Sequence, residues 1–192
     1  DFLDIGGGIG IPYRPDDHPM DVDLLAEEVT KRVKDGTSVR QIAVEPGRYI
    51  VADTTVLLAS VNDVKETPGR RFVGTDAGFN TLIRPSFYGS YHHVVVANKF
   101  GRPGELVYDV VGPICESGDF LAKDRMLPAV EEGDLMAVYD AGAYGFTMSS
   151  QYNMRPKCAE VLVHRGKASI IREAETVDDL LKRERVPSRL ML

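Results

Sequence analysis

The chain changes character once, near residue 53, and that change constrains its fold more than any other feature. Residues 1–52 carry a single βαβ pattern. Phe2-Leu3-Asp4-Ile5 is a short apolar strand, Gly6-Gly7-Gly8-Ile9-Gly10 is a glycine turn, and Pro12, Pro15 and Pro19 mark a loop. From Asp21 to Lys34 the apolar residues fall at 22, 24, 25, 29 and 33, close to the spacing of an amphipathic helix. Asp21 is placed to cap that helix, Lys31, Arg32 and Lys34 suit its C-terminal end, and Gly36 is expected to close it. Ile42-Ala43-Val44-Glu45 is the second strand, and its continuous apolar part predicts cover on both faces. One such unit cannot bury both faces of a parallel sheet alone. It is expected to belong to a larger α/β body, and a chain opening on a bare strand, without an initiator Met, reads as a piece of a longer protein.

Beyond residue 53, short β-rich runs alternate with Gly, Pro, Asn and Asp at intervals of roughly 8–12 residues, the rhythm of an antiparallel sandwich or barrel. Strands are predicted at Thr55–Asp63, Arg71–Thr75, His92–Ala97, Glu105–Val111, Leu135–Tyr139, Ala159–His164 and Lys167–Arg172. Thr176 to Arg185 reads as a terminal helix stopped by Val186-Pro187. The expected fold class is therefore α/β plus all-β, with residues 1–52 as one body and 53–192 as a β-barrel or sandwich domain with a C-terminal helix. Hydrophobic residues make up 43% and charged residues 27%, which supplies enough apolar surface to oppose chain entropy and argues against disorder.

The net charge of −6 argues against a nucleic-acid partner, since phosphate binding relies on clustered Lys and Arg. No apolar run approaches the ~20 residues of a membrane helix. Two cysteines, Cys115 and Cys158, are too few for a disulfide framework, although one bridge is open to them, and a reducing cytoplasm is the expected compartment. His92 and His93 are adjacent while His18 and His164 are isolated, so no metal-ligand spacing occurs, and His92-His93 reads as an edge pair at a strand start.

Four motifs carry chemistry. Gly6, Gly7 and Gly8 follow a strand, and without Cβ atoms their backbone N–H groups can converge on a phosphate, although a tight turn alone would also use them. Glu45-Pro46-Gly47-Arg48 follows the second strand of the same unit, so both loops open on the same rim. Arg48 offers a planar fork for a carboxylate or phosphate, and Glu45 could face a protonated ring nitrogen; an internal Glu45–Arg48 pair is the alternative. Cys115 sits beside Glu116 and Asp119 between turn residues, and neighbouring acids favour the protonated thiol, a proton donor rather than a nucleophile. Small residues around Tyr144 allow close approach to a ligand, with a ring for a planar cofactor and a hydroxyl for a phosphate. Taken singly, the Cys and Tyr motifs read first as packing residues, a small buried Cys beside a solvated turn and a core Tyr flanked by turns.

Taken together and in this order, the motifs closely resemble the diaminopimelate decarboxylase family, pyridoxal-phosphate enzymes of the alanine-racemase-like fold type. The resemblance runs over essentially the whole chain. It includes Phe2–Tyr13, Glu45–Ala52, Asp76-Ala77-Gly78-Phe79-Asn80, Arg84-Pro85 with Tyr88, Cys115–Pro128, Gly142–Ser150 and Arg155-Pro156. It implies a TIM barrel that carries the cofactor, of which this chain holds only the last units, followed by the C-terminal β domain. It also implies roles. Gly6, Gly7, Gly8, Glu45, Gly47 and Arg48 match cofactor-phosphate loops, and Arg48 also matches a substrate ligand. Arg84 and Tyr88 match residues that hold the far end of the substrate. Cys115 matches a proton donor and Glu116 a substrate-binding acid, both serving the partner subunit's site in a homodimer. Tyr144 matches a residue at both cofactor and substrate. The family's Schiff-base lysine and its ring-stacking His lie on earlier barrel strands, and none of the eight lysines here sits in that motif. The run Cys115-Glu116-Ser117-Gly118-Asp119 favours diaminopimelate, since relatives acting on ornithine typically carry Asp after the Cys. An ornithine- or arginine-type decarboxylase, or a non-catalytic β module, are the alternatives.

Overall fold

The computed structural model describes residues 1–190, so positions 191 and 192 of the expected second domain lie outside it. The βαβ unit is present: β1 (Phe2–Asp4) pairs in parallel with β2 (Gln41–Ala43), and α1 (Val22–Gly36) connects them. Asp21 caps α1, its carboxylate accepting the Leu24 N–H at 2.9 Å. Gly36, expected to close the helix, is instead its last helical residue. Thr37 caps the end in extended backbone, both its N–H and its hydroxyl donating to the Val33 carbonyl. The helix also runs past Lys34, because Thr37 supplies a stop that needs no left-handed glycine.

After β2 the chain forms the short helix α2 (Gly47–Val51), then enters a six-stranded sheet. The strands are β3 (Leu57–Thr67), β4 (Arg70–Thr75), β5 (Val94–Val96), β6 (Leu106–Val111), β7 (Phe120–Leu127) and β8 (Leu135–Val138), in the order β5-β8-β3-β4-β6-β7. The two edge strands β5 and β7 approach each other, so the sheet curls toward closure. β3 makes this possible. Its first half pairs with β8 and its second half with β4, and a bulge between Val61 and Asp63 bends it in the middle.

The sheet departs from the antiparallel expectation in one pair: β4 and β6 run parallel. The segment between them leaves the sheet through α3 (Arg84–Tyr88), contributes β5 to the far edge and returns, and parallel neighbours require a long crossover of this kind. β7 also lies in a stretch for which no strand was predicted. The core between the curled faces contains Val73, Val110, Leu121, Met136 and Val138, all buried. A separate hairpin of β9 (Glu160–His164) and β10 (Lys167–Arg172) precedes α4 (Val177–Leu181), which is shorter than expected and starts in a capping box between Thr176 and Asp179. No helix among the described residues is long and apolar enough to cross a membrane.

Candidate active site

The loop carrying Tyr144 is docked on the end of α2 by main-chain contact. Ala141 donates to the Thr55 carbonyl and Gly142 to the Ala52 carbonyl, each at 3.0 Å. Gly142 lies so close to the Val51 carbonyl that a β-carbon there would overlap it. Tyr144 itself adopts a left-handed backbone, φ 61°, which turns its ring back over the joint. Three residues separate β2 from α2, which presents Arg48 toward that ring.

Arg48 and Arg84, 36 positions apart in sequence, therefore converge. Their guanidinium carbons lie 5.9 and 6.0 Å from the centre of the Tyr144 ring. Arg84 is buried at the start of α3. It donates from Nη1 to the Tyr13 hydroxyl at 2.9 Å, lies 3.1 Å from His92 Nε2, and reaches Ser90 Oγ from Nη2 at 3.4 Å. His92 is fully buried, which corrects its reading as one of an edge pair. Burial, then the charges of Arg84 and Arg125, hold its pKa down at about 4, so the ring is neutral near pH 7. The Asp140 carboxyl beside this cluster is pushed up, by burial first and then by Asp53, with Arg84 opposing. Two cations around a half-exposed phenol ring form a seat for an anion.

The glycine loop and the second loop meet as their parallel strands require. Glu45 donates its N–H to the Gly6 carbonyl at 2.8 Å, and a β-carbon on Gly7 would come within 2.6 Å of the Glu45 carbonyl. Gly6 and Gly8 have positive φ, and the space beside each is open. Gly47, at the start of α2, is open as well. Among the described residues Glu45 and Arg48 form no ion pair with each other, so both remain available to a ligand.

The Cys115 turn is a second centre. Both cysteines are free thiols, and Cys115 is exposed. Its sulfur accepts from Asn153 Nδ2 at 3.7 Å, and Asn153 reaches it from a left-handed backbone followed by a second left-handed residue, Met154. The buried Asp119 carboxylate ties the turn to the sheet, accepting the Ile114 N–H at 2.6 Å and the Phe79 N–H at 2.7 Å. Gly78 and Gly112 leave room for that carboxylate, and a β-carbon at either would collide with it. Glu116 is exposed, and no hydrogen bond or ion pair among the described residues joins Cys115 or Glu116 to Arg48, Arg84 or Tyr144. Tyr88 also stands apart: the residue is 59% exposed and its ring packs edge-on against Phe87. Residues 1–52 match a sequence profile described as the pyridoxal binding domain of pyridoxal-dependent decarboxylases, and residues 48–142 match the C-terminal sheet domain of the same enzymes.

The chain belongs to the pyridoxal-dependent decarboxylases. Within that family it is 52% identical to the diaminopimelate decarboxylase of Methanothermobacter thermautotrophicus over 100% of this chain and 46% of the relative. It is 56% identical to that of Archaeoglobus fulgidus, over 99% of this chain and 46% of the relative. The chain thus spans somewhat less than half the length of these relatives. A crystal structure of diaminopimelate decarboxylase from M. jannaschii with L-lysine superposes with a TM-score of 0.89 at 38% identity, covering 100% of this chain and 44% of that one. A lysine/ornithine decarboxylase from Vibrio vulnificus complexed with putrescine is more distant, at TM-score 0.69 and 25% identity over 81% of this chain and 42% of that one.

Sequence reasoning singled out neither Tyr13 nor His92 as site residues, nor Asn153. Their partners lie 71, 8 and 38 positions away, so no local pattern exposes them. The available signal is that Tyr13 closes the glycine segment and that His92 lies eight residues beyond Arg84.

Proposed function

We propose that this chain is the C-terminal portion of a diaminopimelate decarboxylase that converts meso-2,6-diaminopimelate to L-lysine and CO2 with pyridoxal 5'-phosphate. In this reading residues 1–52 end a cofactor-binding (β/α)8 barrel and residues 53–192 form its β domain. The exposed apolar residues of β1 and β2 and their flanks, Phe2, Ile5, Ile42 and Val44, suit burial against further barrel units. The two free thiols suit a reducing cytoplasm. The observation that carries the reading is the convergence of Arg48 and Arg84 on the Tyr144 ring.

The open, positive-φ glycines at 6 and 8 and the clear space at Gly47 fit a phosphate group, since no side chain obstructs its approach to backbone N–H groups. Gly6, Gly7, Gly8, Gly47 and Arg48 would hold that phosphate, Glu45 the ring nitrogen, and Tyr144 the cofactor from the other side. When bound, pyridoxal phosphate supplies the electron sink that allows a carboxylate to leave the α-carbon. The chain's own residues do the rest. Arg48, Arg84 and Tyr88 fix the substrate's distal end, and Arg84 can do so because the groups that hydrogen-bond it are neutral. Glu116 holds an ammonium group, and the Cys115 thiol returns a proton to the carbon that lost its carboxylate. Among the described residues Cys115 and Glu116 make no bond to the arginine pair, which suits a homodimer in which each supplies the partner's site.

The test is to incubate the complete protein and pyridoxal phosphate with meso-diaminopimelate, ornithine or arginine. Lysine and CO2 are expected from the first substrate only, and no activity from residues 1–192 alone. A complete protein that released CO2 from ornithine and not from diaminopimelate would overturn the assignment.

A further inference from the structure

Arg84 is 4% exposed, and among the described residues no carboxylate lies within ion-pair distance of it. A guanidinium buried in this way is costly unless its donors are met, and here neutral groups meet them. The protonation pattern follows from the partners. The Tyr139 carbonyl can only accept, so His92 Nδ1 carries the hydrogen and donates to it at 2.8 Å. Arg84 can only donate, so His92 Nε2 accepts from Nη1, and the Tyr13 hydroxyl accepts from the same nitrogen. Both Nη1 hydrogens are thereby engaged. Nη2 makes only the long contact to Ser90, while Nε has no acceptor among the described residues and is not sealed from solvent. The Tyr13 ring also stands edge-on to the His92 ring, with centroids 5.6 Å apart, so the two acceptors brace each other.

We propose that His92 and Tyr13 are positioning residues, which turn Arg84 so that its Nε–Nη2 edge faces the distal carboxylate of the substrate. The proposal rests on the reading of Arg84 as a diaminopimelate ligand. Neutrality of the clamp is the point of the arrangement. A carboxylate in place of His92 would hold the guanidinium equally well, but it would neutralise the charge that the substrate must meet. Tyr13 also belongs to the segment that follows the glycine loop, so the same hydrogen bond ties the cofactor side of the site to the substrate arginine.

The test compares two ligands that differ in one group. L-lysine retains the distal carboxylate, and 1,5-diaminopentane lacks it. Both are titrated into the complete, cofactor-loaded protein and followed by cofactor absorbance. In His92→Leu, affinity for lysine is expected to fall about 10–100-fold, as loss of a charge-assisted contact implies. KM for diaminopimelate rises in parallel, while affinity for 1,5-diaminopentane and the cofactor spectrum stay as in the wild type. His92→Gln, which keeps an acceptor, recovers most of the loss. Tyr13→Phe shows the same selective pattern at smaller size and serves if His92→Leu does not fold. Equal losses for both ligands, or no loss for lysine, overturn the proposal. A wild-type protein that neither binds lysine nor acts on diaminopimelate overturns the functional reading instead, whatever the His92 variants do.

Discussion

The Asp119 carboxylate accepts the backbone N–H of Ile114 at 2.6 Å, and through that bond it fixes the turn on which Cys115 sits. Asp119 is 5% exposed and has no cationic partner among the described residues; backbone donors alone compensate its charge. Asp119→Asn keeps the shape but replaces one acceptor oxygen with a donor, leaving the Ile114 or the Phe79 N–H without a partner. The variant is expected to lose about 1–3 kcal/mol of stability. The thiol of Cys115 should also react faster with a disulfide reagent, as the turn loosens. Urea denaturation and thiol-labelling rates check the two effects separately.

The glycine loop gives a prediction about the cofactor. A β-carbon on residue 7 would come within 2.6 Å of the Glu45 carbonyl, which is main chain and cannot rotate away. Gly7→Ala is therefore expected to push the two loops apart and weaken pyridoxal phosphate binding by at least about tenfold, the equivalent of ~1.4 kcal/mol. Cofactor titration of the complete apoprotein reads this directly. Gly10→Ala, where the space beside the glycine is open, should leave the affinity near wild type.

His92 makes stability depend on pH in a definite direction. Its pKa is about 4 in the folded chain against the ordinary 6.5, because burial and then the nearby Arg84 and Arg125 disfavour the charged ring. Between those values the unfolded chain binds more protons than the folded one. Stability is therefore full above about pH 6.5 and falls as the pH drops toward 4, by about 2 kcal/mol at pH 5. Urea midpoints of the complete protein at pH 7 and pH 5 measure the drop. His92→Gln, which does not titrate, is expected to flatten that part of the profile.

The Cys115 and Glu116 assignments separate in kinetics. Glu116→Gln keeps an acceptor oxygen but removes the negative charge that makes its bond to a substrate ammonium worth about 1.5–3 kcal/mol, so kcat/KM for diaminopimelate should fall about 10–150-fold with the cofactor spectrum intact. Cys115→Ala should leave binding in place and lower kcat. If the site is shared between subunits, mixing Cys115→Ala protein with a variant lacking the Schiff-base lysine restores activity in the heterodimers. No restoration after subunit exchange would argue that each chain serves its own site.

The parts of the fold legible in the sequence are those held by local rules. Asp21, the spacing of apolar residues behind it and the two flanking runs specify the βαβ unit without reference to anything distant. β7 escaped because Lys123, Asp124 and Arg125 interrupt its apolar residues, and Asp124 takes a left-handed backbone that breaks the alternation. The β4–β6 pairing escaped because parallel partners leave no local trace of their direction. In the site, Arg48 and Tyr144 stand 96 positions apart, and only resemblance could bring them onto the same page before the structure did. His92 was misread for a related reason. Adjacent histidines at a strand start look like surface residues until the groups that bury them, from Tyr13 to Tyr139, are in place.

The seat of Gly142 on the Val51 carbonyl sets a fixed gauge for the site. Where two segments touch through side chains, exchange of one residue for a longer or shorter one retunes the distance between them. Here backbone rests on backbone, and the gap is the thickness of the chain itself, a length that only a side chain at position 142 would change. The spacing of the α2 backbone from the loop that carries Tyr144 is thus set by the main chain. Any change in what the site accepts must be made by the groups that project into it, and directed-evolution libraries should leave position 142 untouched and diversify the residues around the rim.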